Sequence, residues 1–183
     1  MANETISQGT LTGLLRQDHD RLKELFDRFE SSEGKQRERA AKEALGLLLT
    51  HDAIEQTLLY PSVLNEKSIP RELVLRCEEA HHLVHLLMAE LKVRPYNERY
   101  FAKFSKLVAG VREHIEEEEN ELFPAIESSN IDDEDLGRRM VELKEHKGAL
   151  MLRSMKTGGG AFAGTALLAA VGWAIYKAFS AED

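Results

Sequence analysis

The chain has 183 residues, of which 43% are apolar and 31% are charged, and its formal net charge is −8. This acidic balance argues against nucleic acid as a partner, because binding to phosphates requires a basic surface. The only cysteine is Cys77, which excludes a disulfide-stabilised fold. The feature that needs an explanation is the presence of seven histidines in an acidic chain.

Helical periodicity runs through most of the chain after a polar lead at 1–9, in which we expect no secretory signal. We predict four long helices and a shorter fifth, over about 10–30, 35–64, 70–94, 96–126 and 132–155. Each long helix has one apolar stripe, and the loops between them are short. The pattern predicts an all-α fold, an antiparallel up-down-up-down four-helix bundle with a short fifth helix, over residues 10–156.

An internal repeat relates the second predicted helix to the fourth. Each has a histidine, a glutamate four residues later, and then a Leu-aromatic-Pro sequence. The two copies are His51, Glu55 and Leu59-Tyr60-Pro61, and His114, Glu118 and Leu122-Phe123-Pro124. The helices that precede them also match, with His19 aligned to His81. The repeat predicts two similar helical hairpins that face each other.

Ionisable residues occupy core positions in all four predicted helices. They recur at the 3.6-residue spacing of the apolar stripes. The set is His19, His51, Glu55, His81, His85, His114 and Glu118. Burial of an unpaired imidazole or carboxylate costs several kcal/mol, so such groups lie inside only when they are paired or bind a metal. We interpret the set as a metal site in the bundle core.

Imidazole with carboxylate is suited to iron, and manganese is an alternative, whereas zinc prefers four ligands. If both glutamates and an oxygen species bridge two six-coordinate irons, five imidazoles leave one position open. An open position is what a small ligand such as dioxygen needs. A ferritin-like carboxylate site requires Glu-x-x-His on two helices, and only the third helix has it.

These residues resemble the hemerythrin family, in its bacterial HHE cation-binding form, over about 11–155. The resemblance implies a bundle with a non-haem di-iron centre that binds oxygen reversibly or serves in sensing. It implies one iron held by His81, His85 and His114, a second held by His19 and His51, and bridges from Glu55 and Glu118. One departure is the last carboxylate. The oxygen-carrying worm proteins have an aspartate five residues after the histidine, and Glu118 follows at four.

Two of the predicted ligands have a neighbour of the same residue type. His82 is an alternative to His81, although the repeat and the one-turn spacing to His85 favour His81. Glu119 is an alternative to Glu118. We expect Tyr60 and Phe123 to be packing residues.

The end of the chain differs from the rest in composition. Residues 157–160 are a glycine-rich hinge, and 15 of the 19 residues at 161–179 are apolar. A helix of about 20 uncharged residues spans about 30 Å, close to the thickness of a bilayer's hydrocarbon core. We predict a C-terminal transmembrane helix with the bundle on the cytoplasmic face, because several lysines and arginines precede it. The alternative is a soluble cytoplasmic protein whose apolar tail packs on the bundle or in an oligomer.

The sequence therefore predicts a ligand-binding protein rather than an enzyme. It would bind dioxygen or another small diatomic ligand such as nitric oxide, for oxygen storage, delivery or sensing at a membrane. The alternatives are a di-iron oxidase or peroxide-detoxifying enzyme, and an iron-responsive regulatory protein. The physiological ligand, the oligomeric state and any protein partner stay open.

Overall fold

The computed structural model describes residues 9–92 and 95–156, and this part of the chain is helical without strands. We number its helices α1 to α5. Helices α2 and α4 each continue through a short widened segment into a last turn. The bounds are α1 Leu11–Ser31; α2 Gly34–Ile54, then Glu55–Leu59 and Tyr60–Leu64; α3 Arg71–Lys92; α4 Glu98–Glu117, then Glu118–Leu122 and Phe123–Glu127; and α5 Asp133–Lys156.

The first four helices form two hairpins, with α1 packed along α2 and α3 packed along α4. The loops within the hairpins are short, which makes successive helices antiparallel neighbours. The expected helical bundle is therefore present, and its helix bounds lie within a few residues of those predicted. Contrary to the predicted short fifth helix, α5 has 24 residues and is longer than α1, which has 21.

The chain divides into two compact units, residues 1–139 and residues 140–183. The bundle and the start of α5 belong to the first unit. No helix within residues 9–92 and 95–156 is both long and apolar enough to cross a membrane. The predicted hinge at 157–160 and the hydrophobic helix at 161–179 lie outside the described residues.

Local signals in the sequence account for where the helices begin. The side chain of Thr10 accepts a hydrogen bond from the backbone N–H of Gly13 at the start of α1. Asn97 accepts one from the N–H of Tyr100 at the start of α4. Both are N-cap interactions, which satisfy backbone donors that the helix itself leaves unpaired. Gly34 opens α2 with a φ of 54°, a left-handed conformation that glycine adopts without strain.

The apolar core fills the end of the bundle where the loops join α1 to α2 and α3 to α4. Four aromatic rings lie at its centre, those of Phe26, Phe29, Tyr100 and Phe104, each at most 1% exposed. Below this layer, toward the other end of the bundle, the inward positions become histidine and glutamate. The polar layer is thus enclosed by apolar packing, which keeps it away from bulk water.

A single widened turn interrupts both α2 and α4 at equivalent places. The N–H of Tyr60 donates to the carbonyl oxygen of Glu55, and the N–H of Phe123 donates to that of Glu118. These bonds span five residues instead of four, and each widened turn lies just before Pro61 or Pro124. A proline has no N–H and clashes with the carbonyl four residues earlier, which a π-helical turn relieves. The repeat therefore places both glutamates at the first residue of a widened turn.

Gly137 of α5 lies against the backbone where α1 begins. A Cβ at this position would overlap the carbonyl oxygen of Gly9 and the carbonyl carbon of Thr10. We expect Gly137→Ala to lower the free energy of unfolding by about 1–3 kcal/mol, because neither backbone atom can move away cheaply. Urea denaturation measures the change.

Gly110→Ala is the matched control, because a Cβ at that position of α4 meets nothing within 4 Å. In an open helical site the added methyl group stabilises by about 0.5–1 kcal/mol. Equal behaviour of the two variants would contradict the close approach of α5 to the start of α1.

Candidate metal centre

Four imidazoles and two carboxylates lie together in the polar layer. His19, His51, His81 and His114 are at most 4% exposed, and Glu55 and Glu118 are fully buried. Each helix of the bundle supplies one histidine, and the two helices with widened turns also supply the glutamates. These six are six of the seven ligands predicted from the sequence.

The four histidines form two pairs, His19 with His51 and His81 with His114. Each carboxylate points one oxygen toward each pair. For Glu55, Oε1 lies 3.0 Å from Nε2 of His51, and Oε2 lies 2.8 Å from Nε2 of His81. For Glu118, Oε2 lies 3.5 Å from Nε2 of His19, and Oε1 lies 3.4 Å from Nε2 of His114. Both glutamates therefore lie between the pairs, as a bridging carboxylate does.

The donor atoms fall into two groups, in each of which they lie within 4.8 Å of one another. The groups are His19, His51, Glu55 and Glu118, and Glu55, His81 and His114. We call them the His19–His51 half and the His81–His114 half. The division of the buried histidines into these pairs is the one that the hemerythrin resemblance implies.

Several buried polar atoms of the site lack hydrogen bonds, as expected of atoms that bind a cation. Oε1 of Glu55, Oε2 of Glu118 and Nε2 of His114 are buried, and although each faces an ionisable neighbour at 3.0–3.5 Å, none makes a hydrogen bond of good geometry within the described part of the chain. A buried polar atom without a partner costs about 1–3 kcal/mol, and more when it is charged. A metal ion in each half would satisfy these atoms, the two glutamate oxygens in the His19–His51 half and Nε2 of His114 in the other, so the residues present suit a metal.

The seventh predicted ligand, His85, does not join either group. Its side chain is 59% exposed, and its Nδ1 lies 3.4 Å from a carboxylate oxygen of Asp52. The role of His85 as a ligand stays a prediction. Of the two adjacent histidines on α3, His81 is buried in the site, whereas His82 is exposed.

Two residues contact the outer nitrogen of a site histidine, which is Nδ1, the ring nitrogen that does not face the buried glutamates. Neither residue was predicted in that role. Glu119, considered above only as an alternative ligand, lies 2.9 Å from Nδ1 of His19 and contacts Lys23. The amide of Gln56 lies 3.1 Å from Nδ1 of His81. A sequence signal was available, because Gln56 and Glu119 directly follow the two repeated glutamates.

The aromatic residues of the repeat also contact the site. The ring of Phe123 stacks on His19 with a centroid separation of 5.5 Å, and the ring of Tyr60 lies 5.4 Å from His81. The Tyr60 hydroxyl donates to Oε1 of Glu118 at 3.4 Å. Tyr60 therefore brings a buried O–H group to the carboxylate, in addition to the packing that we expected.

The buried charges strongly affect proton binding. Burial lowers the pKa of His51, but the charge of Glu55, hydrogen bonds to Asp18 and Glu55, and the charge of Glu118 together outweigh this effect and raise the pKa to about 10. The pKa values of His19 and His81 are also raised, because hydrogen bonds to glutamates outweigh burial. Burial acts to raise the pKa of Glu55, yet the charge of His51 holds it well below its usual range. Without a metal, protons bound to these histidines balance the charge of the carboxylates.

The fold and its buried donors define a helical-bundle protein with a cation site of imidazole and carboxylate. Residues 10–126 match the family of the hemerythrin HHE cation binding domain, and the chain belongs to this family. The chain is similar to a solved structure, a hemerythrin HHE cation binding domain-containing protein from Mycobacterium kansasii, with a TM-score of 0.65 and 23% identity over 83% of this chain and 95% of that chain. Because the identity is 23%, this similarity shows that the two proteins share a fold. No curated protein matches the chain.

The raised pKa of His51 predicts how the metal-free protein responds to alkali. The folded-state pKa of about 10 exceeds the ordinary value of 6.5. The proton on His51 therefore stabilises the folded state fully below about pH 6.5, and this contribution is lost as the pH rises toward 10. We expect the urea midpoint of the metal-free chain to fall over this interval.

His51→Gln should flatten this fall, because it removes the group that loses the proton. His82→Gln replaces an exposed histidine on α3 and should leave the fall as it is in the wild type. If His51→Gln and His82→Gln gave the same pH dependence as the wild type, another group would be responsible.

Proposed function

We propose that the chain holds two iron ions, with a bridging oxygen species, and binds dioxygen or nitric oxide reversibly. The observation that carries the proposal is the placement of Glu55 and Glu118, each with one oxygen toward either histidine pair. Imidazole and carboxylate donors in this number suit a pair of iron ions. Ferrous iron supplies the electrons for reversible binding of dioxygen.

Apolar side chains shield the site on the core side. Leu48, Val84, Val111 and Ile115 are at most 5% exposed and belong to the apolar core. Leu48, Val84 and Val111 each lie three residues from a buried histidine of the same helix, and all four side chains donate no proton. A dry pocket favours reversible binding, because water and protons are what convert a bound ligand into products.

In this proposal His85 completes the His81–His114 half, which otherwise has three donor residues within the described chain. His85 lies one helical turn after His81, on the same side of α3. Its side chain would have to leave Asp52 and turn inward. Iron would then hold His85 in place of the ion pair.

One observation favours the alternative of a di-iron oxidase or peroxide-detoxifying enzyme. Such an enzyme needs a proton donor beside the metals, and the buried hydroxyl of Tyr60 lies 3.4 Å from Glu118. Burial and the charge of Glu118 raise the pKa of Tyr60 well above its usual value. The hydroxyl therefore keeps its proton, which makes it a weak acid for such a step.

Iron loading followed by oxygen exposure tests the proposal. We expect the full-length chain to take up two Fe²⁺ ions without oxygen and to develop charge-transfer absorption when oxygen is admitted. The absorption should disappear when oxygen is removed, if the chain is a carrier. Absorption that bleaches irreversibly would favour the enzyme.

The site residues are tested in the same measurement. Replacement of His51 and His114 together by alanine should abolish iron uptake, because each half loses one imidazole. His85→Ala should weaken uptake, while His82→Ala, at an exposed position, should leave it unchanged. Fewer than two irons per wild-type chain, or full uptake by the double variant, would contradict the proposal.

We also propose that residues 161–179 anchor the protein to a membrane, with the bundle on the cytoplasmic side. The support comes from the sequence, in which 157–176 carry no charge and basic residues precede them. The length matches the hydrocarbon core of a bilayer. The alternative, a soluble cytoplasmic protein, would use this segment for packing.

Cell fractionation tests the anchor. The full-length chain should appear in the membrane fraction and require detergent for release. Leu167→Lys with Leu168→Lys should move it to the soluble fraction, because each lysine near the bilayer centre costs about 2.5–3.5 kcal/mol.

Leu83→Lys with Leu86→Lys is the matched control, since both leucines are exposed on α3. This variant should fractionate like the wild type. Recovery of the wild-type chain without detergent would overturn the anchor.

A further inference from the structure

The two halves of the metal centre differ in the residue that holds the outer nitrogen of one histidine. The repeat aligns His19 with His81, and it aligns Glu119 with Gln56, the residues after the buried glutamates. Oε1 of Glu119 lies 2.9 Å from Nδ1 of His19, and Nε2 of Gln56 lies 3.1 Å from Nδ1 of His81. The same position in the repeat thus carries a carboxylate in one half and an amide in the other.

This difference decides where the proton of each neutral imidazole lies. A carboxylate only accepts hydrogen bonds, so Glu119 requires the proton of His19 to be on Nδ1. The lone pair of Nε2 then points into the site, where Nε2 lies 3.5 Å from Oε2 of Glu118. The amide of Gln56 can donate or accept, so it does not enforce this arrangement at His81.

A cation holds Glu119 in place. Nζ of Lys23 lies 3.0 Å from both carboxylate oxygens of Glu119. Lys23 follows His19 by one turn of α1, so the three residues connect α1 to α4. In the other copy of the repeat the position of Lys23 is taken by His85, which contacts Asp52 rather than Gln56.

Asp52 does not restore the symmetry of the two halves. Its Oδ1 lies 3.3 Å from Nδ1 of His81, but the same carboxylate also lies 3.4 Å from Nδ1 of His85. It is therefore shared between two imidazoles, and among the described residues no lysine or arginine holds it as Lys23 holds Glu119. The hydrogen bond to His81 comes from Gln56.

Of the two aligned histidines, His19 is the one whose outer nitrogen faces a carboxylate that a lysine holds in place. We propose that Glu119, held by Lys23, is a positioning residue that presents Nε2 of His19 to a divalent cation and so strengthens cation binding in the His19–His51 half. The inference rests on the proposed function in that it requires two cation positions.

Titration of the metal-free, full-length chain with Co²⁺ against a competing chelator tests the role of Glu119. The wild type should bind two ions with separate affinities. Glu119→Leu should weaken one of the two steps by about 10–100-fold, the usual effect of losing an outer partner of a ligand histidine, and leave the other step unchanged. Lys23→Met and Glu119→Gln should have smaller effects, because the first keeps the carboxylate and the second keeps an acceptor oxygen.

Glu117→Gln is the matched control. Glu117 lies on the same helix, its side chain is 22% exposed against 25% for Glu119, and it pairs with a basic residue, Arg76. The variant removes the same charge without touching a histidine, and it should titrate like the wild type. In the Zn²⁺-loaded chain, proton NMR should show a slowly exchanging Nδ1–H of His19 in the wild type and in Glu117→Gln, and faster exchange in Glu119→Leu.

The outcomes separate this inference from the proposed function. A wild-type chain that binds fewer than two Co²⁺ ions contradicts the two-metal centre itself. If the wild type binds two ions but Glu119→Leu titrates like Glu117→Gln, the role of Glu119 is overturned. Equal weakening of both steps in Glu119→Leu would overturn the assignment of Glu119 to the His19–His51 half.

Discussion

The sharing of two buried carboxylates among four buried imidazoles is the interaction on which the rest of the structure depends. Neither group is stable alone in an apolar core, because the charged form loses its hydration. Glu55 and Glu118 each face two imidazoles, so every ionisable group of the layer has a neighbour of complementary chemistry. Those neighbours come from four different helices, so the polar layer requires the whole bundle.

The backbone has the same local structure at both buried glutamates. Pro61 and Pro124 each lie six residues after a buried glutamate, at the same position of the repeat. Each follows a widened turn that begins at the glutamate. The two glutamates therefore occupy equivalent positions in α2 and α4. The two copies of the repeat thus give the site an approximate internal symmetry.

The two halves of the site differ in the residues that lie just outside the histidine pairs. Tyr60 has a hydroxyl where Phe123 has none, and Glu119 is a carboxylate where Gln56 is an amide. These substitutions sit outside the histidine pairs and so leave their positions intact. They alter instead what surrounds each half, which is how a duplicated scaffold can acquire two unequal sites.

Local patterns in the sequence were enough to predict the helices, the pairing of the repeats and six residues of the buried cluster. These features follow from local rules, since helical spacing places His51 and Glu55 on one face and an apolar stripe assigns that face to the core. Glu119 could not be assigned in the same way, because its role depends on α1 lying beside α4. The repeat correctly favoured His81 over His82 as the buried residue, but it also assigned His85 to the core, and His85 is exposed. The positions of Glu119 and His85 were settled by packing, because contacts between distant helices depend on how the helices pack and rotate against one another.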